Sequence, residues 1–139
     1  MQELVTFTKP MRVLFVEDEK TLRETTASFF NELFDYVVTA VNGIDGLEKF
    51  ENEPFDLVIS DITMPKMDGI EMLSKVRESG SKVPFIMLTA HNDMKYHMSS
   101  AKHGVHGYVT KPIALESFAE ILWRLKEAIE MQNQEGLVS

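Results

Sequence analysis

Short apolar runs of strand length alternate along this chain with longer segments whose apolar residues recur at helical spacing. The predicted strands are residues 13–16, 36–40, 55–60, 84–88 and 105–110. The predicted helices are about residues 22–33, 44–50, 68–80, 91–103 and 114–131. Strands that are apolar almost throughout indicate a sheet covered on both faces, which requires parallel strands joined by right-handed crossovers. We therefore predict one doubly wound α/β domain with a five-stranded parallel sheet.

The composition limits the kinds of protein that this chain can be. Its 139 residues suffice for one core, carry a formal net charge of −8 and include no cysteine, so disulfides and thiolate metal sites are excluded. An acidic surface repels a phosphate backbone, which argues against direct binding to nucleic acid. Because the sequence shows no signal peptide and no apolar stretch of membrane length, we expect a soluble cytoplasmic protein without membrane contact. We assign residues 11–131 to the domain, residues 1–10 to an N-terminal tail and residues 132–139 to a C-terminal tail or the start of a linker.

Polar side chains follow four of the predicted strands, at the point where each strand ends. Glu17 and Asp18 follow the first strand, Asp61 the third, Thr89 the fourth and Lys111 the fifth. The carboxyl ends of parallel strands lie along one edge of an open sheet, where such folds bind their ligands. The five residues are therefore expected to meet in one cluster.

The expected cluster combines three carboxylates with one ammonium group. Carboxylates at adjacent strand ends repel one another unless a cation lies between them, and oxygen ligands alone suit a hard cation such as Mg²⁺. Together with the metal, Lys111 would neutralise the charge of a phosphoryl group during its transfer, and a carboxylate can accept that group as an aspartyl phosphate. Asp61, between the acidic pair and Lys111, is the best-placed acceptor.

Each of these residues has an ordinary structural interpretation when it is taken alone. An acidic residue after a strand often caps the next helix, a threonine often belongs to a turn, and a lysine is usually solvated. The placement of all five residues at matched strand ends is what favours the functional interpretation.

Four segments of the sequence resemble the receiver domains of bacterial two-component response regulators, a CheY-like family. They are Val16-Glu17-Asp18-Glu19, Asp61-Ile62-Thr63-Met64-Pro65-Lys66-Met67-Asp68-Gly69, Leu88-Thr89-Ala90 and Gly107-Tyr108-Val109-Thr110-Lys111-Pro112. The resemblance covers about residues 11–131 and implies a flavodoxin-like (βα)5 fold with the strand order 2-1-3-4-5. It also implies a signalling module that promotes its own phosphorylation and dephosphorylation and is not a conventional enzyme.

The resemblance assigns roles to the acidic part of the expected cluster. Asp61 would be the phosphoacceptor, and Asp18, Asp61 and the backbone carbonyl of Thr63 would bind Mg²⁺ directly. Glu17, which stands where many relatives have an aspartate, would act mainly through a metal-bound water.

The remaining implied roles concern the response to phosphorylation. Lys111 would pair with the carboxylate or phosphoryl oxygens, and its bond to Pro112 would be cis. Thr89 would move to hydrogen-bond the phosphoryl group and Tyr108 would turn inward behind it, which changes the surface formed by the fourth predicted helix, the fifth strand and the last helix. The implied phosphoryl donor is a sensor histidine kinase or a phosphotransfer protein, and the same surface is a candidate homodimer contact.

Two other functions remain open at this point. A Mg²⁺-dependent phosphohydrolase with an aspartyl nucleophile usually carries a second aspartate two residues later, where this chain has Thr63. A flavin- or nucleotide-binding module of similar topology needs a Gly- or Ser/Thr-rich phosphate cradle after the first strand, where this chain has Glu17, Asp18 and Glu19. Both departures favour the phosphoacceptor.

Overall fold

The computed structural model describes residues 2–90 and 103–138, and within them the chain forms five strands and five helices. The strands are β1 (Arg12–Val16), β2 (Tyr36–Ala40), β3 (Leu57–Asp61), β4 (Phe85–Thr89) and β5 (Gly107–Thr110). The helices are α1 (Gln2–Thr8), α2 (Lys20–Leu33), α3 (Gly43–Asn52), α4 (Gly69–Glu78) and α5 (Leu115–Val138). The helix predicted for residues 91–103 lies outside the described residues except for His103.

The five strands form one parallel sheet in the order β2-β1-β3-β4-β5, which confirms the prediction. The bounds of the strands differ from the predicted ones by at most two residues at either end. Because β1 lies between β2 and β3, the direction of winding reverses beside β1, and the carboxyl ends of β1 and β3 border the resulting crevice.

Alternate side chains along the strands supply two separate cores, one on each face of the sheet. On one face Phe15 packs against Phe30 of α2, with ring centroids 5.0 Å apart, and Phe30 contacts Phe118 of α5 at 5.2 Å. On the other face Leu14 packs in a cluster with Met72 of α4. All of these side chains are fully buried. The two covered faces explain why the strands are apolar throughout.

The structure corrects the prediction at both ends of the chain. The first ten residues, expected as a tail, contain α1, whose Leu4 is buried in the same core as α5, and Thr8 Oγ1 donates a hydrogen bond to the Leu33 carbonyl at 3.0 Å. Helix α5 continues from the predicted end at residue 131 to Val138. Helix α1 is too short to show a helical period, and tertiary contacts stabilise it. A helix already anchored on the sheet can extend into polar sequence.

The helices that lead away from the sheet begin where capping residues were available. Asp68 caps α4, as predicted, by accepting a hydrogen bond from the Glu71 backbone N–H at 2.8 Å. Asn42 does the same for α3 through the Asp45 N–H at 2.9 Å. No helix within residues 2–90 and 103–138 is both long and apolar enough to cross a membrane.

Candidate functional site

Three carboxylates from the ends of β1 and β3 meet at the carboxyl edge of the sheet. The parallel register pairs Val16 with Ser60, so Glu17 and Asp61 occupy the next positions of adjacent strands. One oxygen from each of Glu17, Asp18 and Asp61 lies within 4.8 Å of the others. Glu17 is only 1% exposed and Asp61 6%, whereas Asp18 is exposed. The predicted acidic cluster is therefore present, and two of its three members are buried.

Lys111 supplies the positive charge of the cluster. It follows β5 directly, and its Nζ donates to Asp61 Oδ2 at 3.0 Å and to Glu17 Oε1 at 3.2 Å. The backbone N–H of Lys111 also donates to the Thr89 carbonyl at 2.8 Å. This bond fixes the backbone from which the Lys111 side chain projects. The peptide bond between Lys111 and Pro112 is cis, as the resemblance implied.

Burial and like charge shift the pKa values of the cluster. Burial, followed by the negative charge of Asp61, raises the pKa of Glu17 to about 7. Burial likewise raises the pKa of Asp61, although the hydrogen bond and charge of Lys111 act in the opposite direction. Burial alone would lower the pKa of Lys111, but its hydrogen bond to Asp61 and the charges of both carboxylates raise it above its ordinary value. Without a further cation, burial and like charge therefore oppose full ionisation of the two buried carboxylates.

The loop between β1 and α2 holds the acidic pair through several backbone contacts. The Glu19 side chain caps α2 by accepting from the backbone N–H groups of Thr21 at 3.2 Å and Leu22 at 2.8 Å. Its own N–H donates to Glu17 Oε2 at 3.2 Å. Arg23, which the sequence analysis did not single out, donates from Nη1 to the Glu17 carbonyl at 2.9 Å. The sequence signal that could have identified Arg23 is a basic residue in the first turn of the helix that follows the acidic pair.

The loop between β3 and α4 is tight, and glycines make it possible. The N–H of Gly69 donates to the Ile62 carbonyl at 2.8 Å, and a Cβ at Gly69 would lie 2.3 Å from the Asp61 carbonyl oxygen. The N–H of Gly43 donates to the Met67 carbonyl at 3.0 Å. Thr63 is exposed at the start of this loop. The Asp61-to-Gly69 motif is thus a compact turn that fixes the backbone of Asp61.

Thr89 and Tyr108 lie on β4 and β5, beside the cluster in the order of strands. Asp61 pairs with Leu88 in the register, which places Thr89 one position further toward the carboxyl edge. Thr89 is buried, and its Oγ1 donates to the Ala90 carbonyl at 3.0 Å. Tyr108 is half-buried, pairs with Met87 and packs on the core that contains Leu14. The two residues thus lie on neighbouring strands, Thr89 at the carboxyl end of β4 and Tyr108 two positions before the end of β5.

Similarity to known proteins covers most of the chain. The family model for the response regulator receiver domain matches residues 13–122. Transcriptional regulatory protein DltR of Streptococcus agalactiae is 37% identical over 119 residues, which are 85% of this chain and 53% of the relative. Two-component response regulator ARR10 of Arabidopsis thaliana is 36% identical over 131 residues, which are 93% of this chain and 24% of the relative. The crystal structure of a response regulator receiver domain protein from Clostridium thermocellum has a TM-score of 0.76 at 25% identity and covers 93% of this chain and 99% of that chain.

These relatives also differ from the chain in length. The chain spans 24–57% of the length of the curated relatives that it matches. Helix α1 lies outside the residues that the family model matches, and so does all of α5 beyond Leu122.

Proposed function

Because the chain belongs to the receiver-domain family of two-component response regulators, we propose that Asp61 accepts its phosphoryl group from a histidine kinase or a phosphotransfer protein. Family membership makes the chain a signalling module and not a conventional enzyme. One observation carries the choice of Asp61. Asp61 ends β3, the strand that lies between β1, which the acidic pair follows, and β4 and β5, which Lys111 follows, and it accepts from Lys111 at 3.0 Å.

The donor set fits a hard divalent cation, and we propose Mg²⁺. All side-chain donors are carboxylate oxygens, and when all three carboxylates are ionised a single ammonium group leaves the cluster with excess negative charge. Asp18, Asp61 and the Thr63 carbonyl would hold the ion directly, and Glu17 would act mainly through a bound water. A bound Mg²⁺ supplies charge neutralisation for the phosphoryl oxygens during transfer.

The chemistry that we propose is a single displacement at phosphorus. A carboxylate oxygen of Asp61 forms the new O–P bond while the P–N bond to the histidine of the donor breaks, and the imidazole nitrogen leaves with the electron pair of that bond. The attacking carboxylate must be ionised, which the Lys111 ammonium favours through its hydrogen bond to Oδ2. The same ammonium is available to the negative charge that develops on the phosphoryl group.

The response would pass through Thr89 and Tyr108. Thr89 lies one register position beyond Leu88, the partner of Asp61, and Tyr108 lies on the neighbouring strand. Rotation of the Thr89 hydroxyl toward the phosphoryl group, followed by inward movement of Tyr108, would change the surface of β5 and α5 and so control an output. A homodimer through this surface is part of the proposal.

Acetyl phosphate labelling tests the choice of Asp61. Wild type incubated with Mg²⁺ and acetyl phosphate should gain one phosphoryl group by intact mass, and Asp61→Asn should gain none. Asp56→Asn is the matched control, because Asp56 directly precedes β3 and Asp61 ends it, and this variant should label like wild type. Equal labelling of Asp61→Asn and wild type would overturn the proposal. Sustained hydrolysis of a small phosphate ester would instead favour the phosphohydrolase.

A further inference from the structure

Arg23 is a basic residue beside the acidic cluster that no step of the proposed function uses. It lies in the first turn of α2 and is half-buried. Its Nη1 donates to the backbone carbonyls of Glu17 at 2.9 Å and Asp18 at 3.3 Å. A single nitrogen atom therefore joins the backbones of both acidic residues in the loop between β1 and α2.

The two acidic residues of this loop differ in what holds their side chains. The Glu17 carboxylate accepts from Lys111 Nζ at 3.2 Å and from the Glu19 N–H at 3.2 Å. In the part of the chain that the structure describes, no hydrogen bond or ion pair holds the carboxylate of Asp18, and this side chain is exposed. The direction of the Asp18 carboxylate consequently depends on the backbone from which it projects, and Arg23 fixes that backbone through its carbonyl.

We propose that Arg23 is a positioning residue for the divalent cation, since it holds the backbone of Glu17 and Asp18 in the conformation that directs the Asp18 carboxylate into the cluster. This inference rests on the proposed Mg²⁺ site. Groups that orient metal ligands without touching the metal change metal affinity by about 10- to 100-fold.

Arg23→Met tests this role by metal binding alone. In the full chain, the affinity for Mn²⁺, read from the electron paramagnetic resonance signal of free Mn²⁺, should fall by about tenfold. The urea midpoint of the metal-free protein in EDTA should stay close to that of wild type. Lys49→Met is the matched control, because Lys49 lines the same surface depression as Arg23 and also donates to a backbone carbonyl, that of Thr39 at 2.6 Å. It loses the same charge without touching the acidic loop and should bind Mn²⁺ as wild type does.

Phosphorylation by acetyl phosphate separates metal binding from chemistry. The Mg²⁺ concentration that gives half-maximal labelling of Arg23→Met should rise by about tenfold, while the rate at saturating Mg²⁺ stays close to wild type. Wild-type affinity for Mn²⁺ in Arg23→Met, or an equal loss in Lys49→Met, would overturn the role of Arg23, and so would a lower saturating rate with an unchanged Mg²⁺ requirement. If wild type itself neither bound Mn²⁺ nor accepted a phosphoryl group, the proposed function would fail, and the role of Arg23 would fail with it.

Discussion

The two edges of the sheet carry the same kinds of charged residue under opposite conditions. At the amino edge, Arg12 contacts the Glu53 carboxylate at 3.0 Å and lies 4.0 Å from the centre of the Tyr36 ring. The Tyr36 hydroxyl donates to the same Glu53 oxygen at 3.1 Å, and Asp56 accepts from the Arg12 backbone N–H at 2.8 Å. The Arg12 and Glu53 side chains are about one third exposed, so water shares in their solvation.

At the carboxyl edge the charges are not balanced, and two of the three carboxylates are buried. Lys111 faces Glu17 and Asp61 together, Asp18 adds a third carboxylate, and Glu17 is 1% exposed. An ion pair whose charges balance can stabilise a fold, but it contains no repulsion that a bound ligand could relieve. A cluster with excess buried charge responds strongly to a cation or a phosphoryl group, because that ligand relieves an existing repulsion. The contrast favours the carboxyl edge as the place of the proposed phosphoryl transfer.

The largest difference in stability between the two edges is expected from substitution of the glycines at the two ends of α4. A Cβ at Gly69, at the carboxyl edge, would lie 2.3 Å from the Asp61 carbonyl oxygen, so Gly69→Ala should lower the free energy of unfolding by about 3–4 kcal/mol. A Cβ at Gly80, near the amino edge, would have no atom within 4 Å apart from those of its chain neighbours. Only the positive φ of 92° opposes a side chain there, so Gly80→Ala should cost about 1 kcal/mol. Urea denaturation in EDTA measures both. Equal losses would show that the β3–α4 loop adapts to a methyl group.

The sequence predicts the strand ends well because each apolar run stops at a charged or polar residue, and parallel topology then brings those ends together. It does not predict which acidic side chain becomes buried. Glu17 and Asp18 are adjacent, yet one is 1% exposed and the other is exposed, because tertiary packing decides which of two neighbouring carboxylates is covered and leaves no local pattern in the sequence. Arg23 and α1 escape prediction for a related reason, since their partners are backbone carbonyls and distant helices that leave no local pattern.

The pH dependence of stability should reveal the excess charge at the carboxyl edge. Folding raises the pKa of Glu17 from 4.5 to about 7, so between these values the folded metal-free protein binds a proton that the unfolded chain releases. Stability contributed by this proton is complete below pH 4.5 and is lost as the pH rises through about 7. Glu17→Gln removes the titration, so its free energy of unfolding relative to wild type should rise by about 2–3 kcal/mol between acidic and mildly alkaline pH.

Saturating Mg²⁺ provides the control for this pH dependence. The cation competes with the proton for the carboxylates, so it should stabilise wild type more above pH 7 than near pH 5. Urea unfolding in EDTA and in Mg²⁺, repeated across the pH range for both proteins, measures the two slopes. A wild-type slope indistinguishable from that of Glu17→Gln would mean that Glu17 is not the group that carries the burial penalty.

The smallest effect is expected at the amino edge, where a double-mutant cycle can measure the coupling between Arg12 and Glu53. Their side chains are 37% and 31% exposed, so Arg12→Met, Glu53→Gln and the double variant should give a coupling of only about 0.5 kcal/mol. Arg12→Met alone should cost more than this coupling, because it also removes the hydrogen bond to the Pro54 carbonyl and the contact with the Tyr36 ring. High salt should remove most of the coupling, since it screens exposed charges. A coupling that exceeded about 2 kcal/mol and resisted salt would place a desolvated charge pair at this edge as well, and the electrostatic difference between the two edges would no longer explain where the ligand binds.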